Sequence, residues 1–530
     1  MGSAFAGTWR TAPTRNTVIA VAAALFVVCC LLPVGYLLAA AGGAGDSRSA
    51  LMLDARQRQL LMNTALLGIG TSLGATAVGA PLGFALARIN LPWKTCLRLA
   101  LALPALLPPY IMALAWTHLA SSPEVAALMG GGAQSSDWAY SLPAAIGVLS
   151  LALFPFSMLM TEVAVRRVDG RLEEAALVVA PPGRILRRII IPLVAPAVLA
   201  ASLVIFVLAI SEFGVPGLLR VRVYTTEVFT AFAALYDVSR AVILTVPLLL
   251  LCTAIAVAAG VSLGDPLVVG RRSAHLRAGV FDGWRRPAIL ATGVMCVLAV
   301  VMPLAILVGS TRGVRSWSSV LGGSGDAVVS SLSLAAVGAT AVVAVAIPLG
   351  YWRARRTGYA SRLMDIVLVV TFGLPGTIIG VGLIGVWNRP GPLGAVYGTD
   401  TMLVLGYLAR FLPVAALVLA AVVRYVPVSH EEAASVSGAG WVRSMWRIVL
   451  PQMRLGVLAT WVVVFILAFG ELGVSILVAP PGASTLPIRV YTIIANTPPS
   501  QVAALALLQT GVVVMPLAAL GVLLSLRKYP

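Results

Sequence analysis

Lysine is almost missing from these 530 residues: Lys94 and Lys528 are the whole supply. Neither follows a glycine, so the chain has no G-x-x-x-x-G-K-[ST] phosphate-binding loop and no ATPase site of the usual kind. Histidine is nearly as scarce. His118, His275 and His430 are too scattered to form a metal cluster, and His118 reads as a residue at a membrane interface. The five cysteines, Cys29, Cys30, Cys96, Cys252 and Cys296, show neither disulfide nor zinc spacing. Charged residues make up only 11% of the chain, and the apolar runs lack the clustered His, Asp or Ser of an intramembrane enzyme. No catalytic residue and no metal ligand is therefore expected. Long polar stretches are absent as well, which leaves no room for a soluble ligand-binding domain between the apolar runs.

What fills the chain instead is hydrophobic sequence, 60% of all residues. A membrane-crossing helix takes about 20 apolar residues. Twelve runs qualify, over 17–40, 62–87, 99–120, 142–165, 193–211, 240–262, 287–309, 327–351, 363–387, 402–424, 453–476 and 502–526. The first is longer than a signal peptide's apolar core and is expected to be retained. The net charge of +18 suggests a polyanion-binding surface until its distribution is followed. With the N-terminus inside, 26 of the 37 lysines and arginines fall in the termini and alternate loops on that side. This is the positive-inside bias: both termini are expected in the cytoplasm, the partner is a lipid bilayer, and no nucleic acid is implied.

The chain repeats itself. GAPLGFALAR, ending at Arg88, returns as AIPLGYWRAR, ending at Arg355. Pro104 pairs with Pro375, Pro155 with Pro413, and FVLAISEFGV (206–215) with FILAFGELGV (465–474), which sets Glu212 opposite Glu471. RLEEAALVVAPPGRILRRIIIP (171–192) returns as the stretch ending at Pro451. Six spans per half is an even number, so both halves insert the same way round as parallel repeats. The expectation is an all-α polytopic membrane protein of about 12 transmembrane helices in two parallel six-helix repeats. Residues 1–262 form the first, 287–530 the second, and 263–286 a cytoplasmic linker with no fold of its own.

The chain is organised around HEEAASVSGAGWVRSMWRIVLP, from His430 to Pro451. Ser429 and Glu432 have the spacing of a capping box, which predicts a short helix from 430. Ala433, Ala434 and Gly438 leave one side of it nearly bare for another protein's surface, and Gly438 and Gly440 end it. Pro451 is then expected to open the next spanning helix. This stretch resembles the EAA loop of binding-protein-dependent ABC importer permeases, with Glu432, Ala433, Ala434, Gly438, Ile448 and Pro451 in the family's slots. The first copy, about 169–192, keeps Glu174, Ala175 and Ala176 but has Ala180 in the glycine slot, with Asp169 or Gly170 as its cap.

The resemblance implies the type I, MetI-like permease fold in a bacterial cytoplasmic (inner) membrane. It implies that the two loops, about 169–192 and 429–451, are coupling helices for two copies of a cytoplasmic ABC ATPase subunit, with Glu174 and Glu432 as polar anchors. ATP and Mg would be used by that partner, with no cofactor on this chain, and an extracytoplasmic substrate-binding protein would deliver cargo for alternating access. The double-length form, LALPALLPPYIMALAW and ELGVSILVAPPG resemble ferric-iron importer permeases; thiamine and some phosphonate importers are also double-length. Glu212, Glu471, Pro109 and Pro375 are candidate pathway residues. Carboxylates at membrane depth are costly, and helices broken at matching places often mark a transporter's pathway. Arg410 lies inside a span with Ala152 in its register, so any role it has is asymmetric. A proton-coupled transporter of the major-facilitator type shares the twelve-helix count, yet RINLPWKTCLR lacks the acid and glycine expected after its second span.

Overall fold

A computed structural model describes residues 13–43, 55–122, 125, 127, 137–262, 280–311, 317–392, 394–494 and 496–526. All regular structure among them is helical. Ten helices are long and apolar enough to cross a membrane, and two further pairs, each bent at a short break, bring the total to twelve. Each of the twelve expected runs falls on one of these ten helices or two bent pairs.

The first half runs α1 (Pro13–Gly42), α2 (Ala55–Arg88), α3 (Lys94–Ala105), α4 (Pro109–Ala120), α5 (Leu142–Arg167), the short α6 (Gly170–Leu177), α7 (Pro182–Ser211), the short α8 (Gly214–Leu218) and α9 (Val238–Ser262). The second repeats the order as α10 (Asp282–Ser310), α11 (Gly325–Arg355), α12 (Tyr359–Phe372), α13 (Gly376–Trp387), α14 (Thr401–Arg424), α15 (Val428–Val436), α16 (Trp441–Phe469), α17 (Ser475–Val478) and α18 (Pro499–Leu526). Of the expected linker, 263–279 lie outside the described residues. The remainder is structured: α10 begins at Asp282, and Phe281 is buried edge-on against Phe84, ring centroids 5.2 Å apart.

Small residues let the helices approach. The most extensive pair in each half is α2 along α5 and α11 along α14. A Cβ on Gly83 would stand 2.3 Å from the carbonyl oxygen of Met158, so the two backbones touch there as only glycine permits. The halves also exchange their first spans. α1 packs on α13 and α11, and α10 on α4 and α2. Phe26, Cys29, Cys30 and Leu37 of α1 accordingly belong to the core built on α11 and α14, while Phe281 and Ala299 belong to that on α2 and α5. His118, near the end of α4, pairs across the halves, its Nδ1 3.1 Å from Ser310 Oγ.

Pro192 and Pro451 stand in the first turn of the α-helical stretches Ile191–Ser211 and Leu450–Phe469, as expected, but each continuous span begins earlier. α7 starts at Pro182 and α16 at Trp441, and both run through the proline. A wide π turn precedes each, Leu186–Ile190 and Met445–Val449. The same device precedes Pro33 in α1 and Pro303 in α10. A proline removes one N–H and its ring presses on the carbonyl four residues back; the wider turn makes space for that ring without ending the helix.

Candidate functional site

Two places in the fold gather polar groups. The first is the pair of loop helices. In α6, Asp169 is the cap, its carboxylate accepting from the Arg171 N–H at 3.1 Å. In α15 the expected capping box is absent, because Pro427, with φ −59° and ψ 133°, starts the helix earlier and leaves Ser429 inside its first turn. Gly438 ends α15, as expected. It takes φ +77°, its N–H donates to Ser435 O, and the Ala439 N–H donates to Ala434 O. That is a Schellman turn, which satisfies carbonyls the helix end leaves open. The first copy, with Ala180, closes by ordinary right-handed turns.

Glu174, Ala175, Glu432 and Ala433 are exposed; Ala176 is half-buried and Ala434 is buried. Around them stand large apolar side chains open to solvent: Val178 (84%), Val179 (79%), Val436 (75%) and Trp446 (69%). Each loop helix therefore presents a glutamate within an unusually apolar exposed surface.

The preceding glutamate of each doublet, which the motif reading passed over, does the opposite. Glu173 is buried and ion-paired with Arg88, the last residue of α2; Glu431 is buried and ion-paired with Arg355, the last residue of α11. Arg88 also donates to Val165 O (2.9 Å) and Val168 O (3.3 Å), and Arg355 to Val426 O (2.9 Å). Burial pushes the Glu173 carboxyl above its ordinary range, and the Arg88 guanidinium beside it draws it back part of the way. Glu431 has a further partner, the Tyr351 hydroxyl, which donates to its second oxygen at 2.7 Å. The signal was present in the sequence: glutamate is doubled in both loops, and both second spans end in arginine.

The second place is a cavity of about 440 Å³ between the halves. Glu212, Glu471, Pro109 and Arg410 line it; Pro375 heads the helix that begins with the lining residue Gly376. The two broken spans meet here, bent by 90° between α3 and α4 and by 96° between α12 and α13. Pro108, not Pro104, is the counterpart of Pro375: each is the N-cap of the helix after its break. Pro104 lies a turn earlier, within the 3-10 turn Leu103–Ala105.

Both carboxylates bond locally, Glu212 two residues on and Glu471 three. Glu212 Oε1 accepts from the Gly214 N–H at 3.0 Å, and Glu471 Oε1 from the Val474 N–H at 2.9 Å. Each thereby ties down the turn into the short helix that follows its long one. Among the described ion pairs, none joins either glutamate to Arg220, Arg222 or Arg410. Arg220 lies over the Tyr140 ring, and Arg410 donates to Leu374 O and Phe372 O. The break in the second half leaves the carbonyls of Phe372, at the end of α12, and Leu374 open, and Arg410 caps them. In the first half, where Ala152 stands in the register of Arg410, the N–H groups of Leu106 and Leu107 return to Leu103 O.

Comparison with known proteins places these features. Residues 346–525 match the family described as binding-protein-dependent transport system inner membrane component. Along 87% of its length the chain is 25% identical to the Fe(3+)-transport system permease protein FbpB 2 of Haemophilus influenzae, covering 89% of that protein. It is 33% identical over 187 residues to the putative ABC transporter permease protein ORF1 of Streptomyces antibioticus, which is 35% of this chain and 80% of that one. It is also 26% identical over 238 residues to the molybdenum transport system permease protein ModB of Mycobacterium bovis, 43% of this chain and 89% of the relative.

Proposed function

The chain belongs to the ABC transporter permeases of the binding-protein-dependent transport systems, and from that premise we propose that it carries ferric iron inward through the cavity between its halves. It is a multi-pass membrane transport subunit, of the double-length form. On this reading the halves, 1–262 and 287–530, with 263–286 between them in the cytoplasm, rock about the cavity. Two ATPase subunits dock on α6 and α15 through Glu174, Ala175 and Ala176 and through Glu432, Ala433 and Ala434. Gly438 shapes the second docking surface by closing its turn. ATP and Mg act on those subunits and no cofactor sits on this chain. An extracytoplasmic binding protein delivers the cargo, and both termini face the cytoplasm.

The observation that carries the reading is the matched pair Glu212 and Glu471, one from each half, lining one cavity at the broken helices. Two carboxylates against a single arginine favour a cation. The iron-transport name of the full-length relative supports the same cargo. The molybdenum relative favours an oxyanion, which the carboxylate pair disfavours; thiamine and phosphonate remain arms of the test.

The test is reconstitution in proteoliposomes with the ATPase subunits and binding protein, offering Fe³⁺, thiamine, phosphonate and molybdate in turn. Fe³⁺-stimulated ATP hydrolysis and uptake, both lost in Glu174→Ala with Glu432→Ala, are expected. Stimulation by another cargo overturns the iron assignment. Uptake driven by a proton gradient without ATP overturns the ATPase coupling.

A further inference from the structure

A displacement applied to α6 or α15 has two routes into the membrane. One follows the chain into α7 and α16. On that route lies a turn (Val178–Pro181, or the Schellman turn at Gly438) and then the π turn before Pro192 or Pro451. Both are departures from regular helix where the backbone bends most readily. The only other described polar tie from α15 to α16 is exposed, between His430 Nδ1 and Gln452 Oε1 at 3.2 Å.

The other route is lateral and buried. Glu173 holds α6 to the last residue of α2, and Glu431 holds α15 to the last residue of α11. α2 is 34 residues and α11 is 31, each one unbroken helix. α11 packs along α14, from which Arg410 reaches the carbonyls at the α12–α13 break. α2 carries Gly68, packed against Phe206 and Ile210 just before Glu212. Each pair thus stands at one end of a continuous helix whose packing reaches the cavity.

We propose that Glu173–Arg88 and Glu431–Arg355 are positioning pairs that make each loop helix one rigid body with the second span of its half, so that the ATP-driven stroke enters the membrane through α2 and α11. This rests on the permease reading above. The pairs are unequal. Tyr351 completes the second, whereas Phe84 occupies the matching place in the first and leaves Glu173 Oε2 buried without a partner. The stroke is transmitted more firmly through α15 than through α6.

The experiment uses the full chain with its ATPase subunits and Fe³⁺-loaded binding protein, comparing wild type, Glu173→Gln with Glu431→Gln, and the milder Tyr351→Phe. Two quantities are read: Fe³⁺ delivered per ATP, and amide exchange over 170–177 and 428–436 in the chain alone. The double variant is expected to keep its ATPase subunits and hydrolyse ATP while delivering about tenfold less Fe³⁺ per ATP, with faster exchange in both loop helices. Tyr351→Phe is expected to fall between, with faster exchange in 428–436 only. Unchanged exchange in the double variant shows that the pairs do not hold the helices and overturns the proposal. Faster exchange with an unchanged Fe³⁺-to-ATP ratio overturns it too, leaving the pairs structural. A wild type that shows no Fe³⁺-stimulated hydrolysis overturns the iron reading alone, and amide exchange in the double variant then decides whether the pairs hold the helices.

Discussion

Pro108 and Pro375 occupy the same place in the two halves of the molecule. Each caps the helix after a right-angled break, with φ and ψ of −56° and 127° for Pro108 and −57° and 140° for Pro375. Their neighbours are exchanged between halves: Gly470, at the end of α16, lies against Pro108, and Val207 of α7 against Gly373 beside Pro375. Ser211 reinforces the second contact, its hydroxyl donating to Gly373 O at 2.9 Å. The cavity is thus bounded by two equivalent joints, each made by the break of one half and the long helix of the other. Relative movement of the halves must open or close both.

Next to the second joint, the break has no spare volume at Gly376 against the turn after α16 of its own half. A Cβ there would stand 2.9 Å from Glu471 Oε1 and 2.9 Å from the Val474 nitrogen. Gly376→Val is expected to spread this break, abolishing cargo-stimulated ATP hydrolysis while membrane insertion and ATPase binding persist. Co-purification of the ATPase with the variant, beside its uptake rate, checks this.

Glu471 combines a structural bond with a charge, and two substitutions separate them. Glu471→Gln keeps an oxygen to accept the Val474 N–H and removes only the charge. It is expected to leave thermal stability near wild type and to slow Fe³⁺ uptake about tenfold, or about 1.4 kcal/mol at the barrier. Glu471→Ala also leaves that N–H unsatisfied and is expected to cost about 1–3 kcal/mol of stability. Equal uptake by the Gln variant and wild type would assign the carboxylate to the turn alone.

Gly83 tests the close packing of α2 on α5. With its Cβ position 2.3 Å from a backbone oxygen, Gly83→Ala cannot be absorbed by a side-chain rotation. A loss of about 1–3 kcal/mol is expected, as for overpacking elsewhere, read as a lower unfolding midpoint in detergent.

The architecture was legible because burying a helix in lipid leaves a plain mark: a run of about 20 apolar residues. Ten of the twelve runs became helices long enough to span, and the other two became pairs bent at a right angle, which hydropathy could only record as continuous. The site was legible in part. Glu212 and Glu471 stood out by their duplication and Pro109 by the matching helix breaks, and all three line one cavity. Pairing Pro104 with Pro375 failed because the first break contains several prolines, and only backbone geometry tells which one caps α4. The Glu173–Arg88 and Glu431–Arg355 pairs were missed for another reason. A carboxylate facing a partner protein and one facing an arginine 76 or 85 residues away look alike in sequence. Tertiary contact alone separates Glu431 from Glu432.

The two loop helices offer a last comparison, because the family's glycine slot is filled by Gly438 in one and Ala180 in the other. Gly438 stands at φ +77°, where a side chain meets its own backbone at a cost of about 1–2 kcal/mol. Gly438→Ala is expected to loosen the end of α15, speeding amide exchange over 428–439 and weakening ATPase binding. Ala180 is not among the residues with positive φ; the Val179 and Ala180 N–H groups both return to Ala176 O in a right-handed turn. Ala180→Gly therefore relieves no strain, and its added backbone freedom is expected to cost about 0.5–1 kcal/mol. Restoring the family's residue should leave the first loop no tighter, and its affinity for the ATPase no higher. Titrating the ATPase against both variants in nanodiscs decides the matter. A tighter complex from Ala180→Gly would mean that α6 changes to the turn of α15 when the ATPase docks.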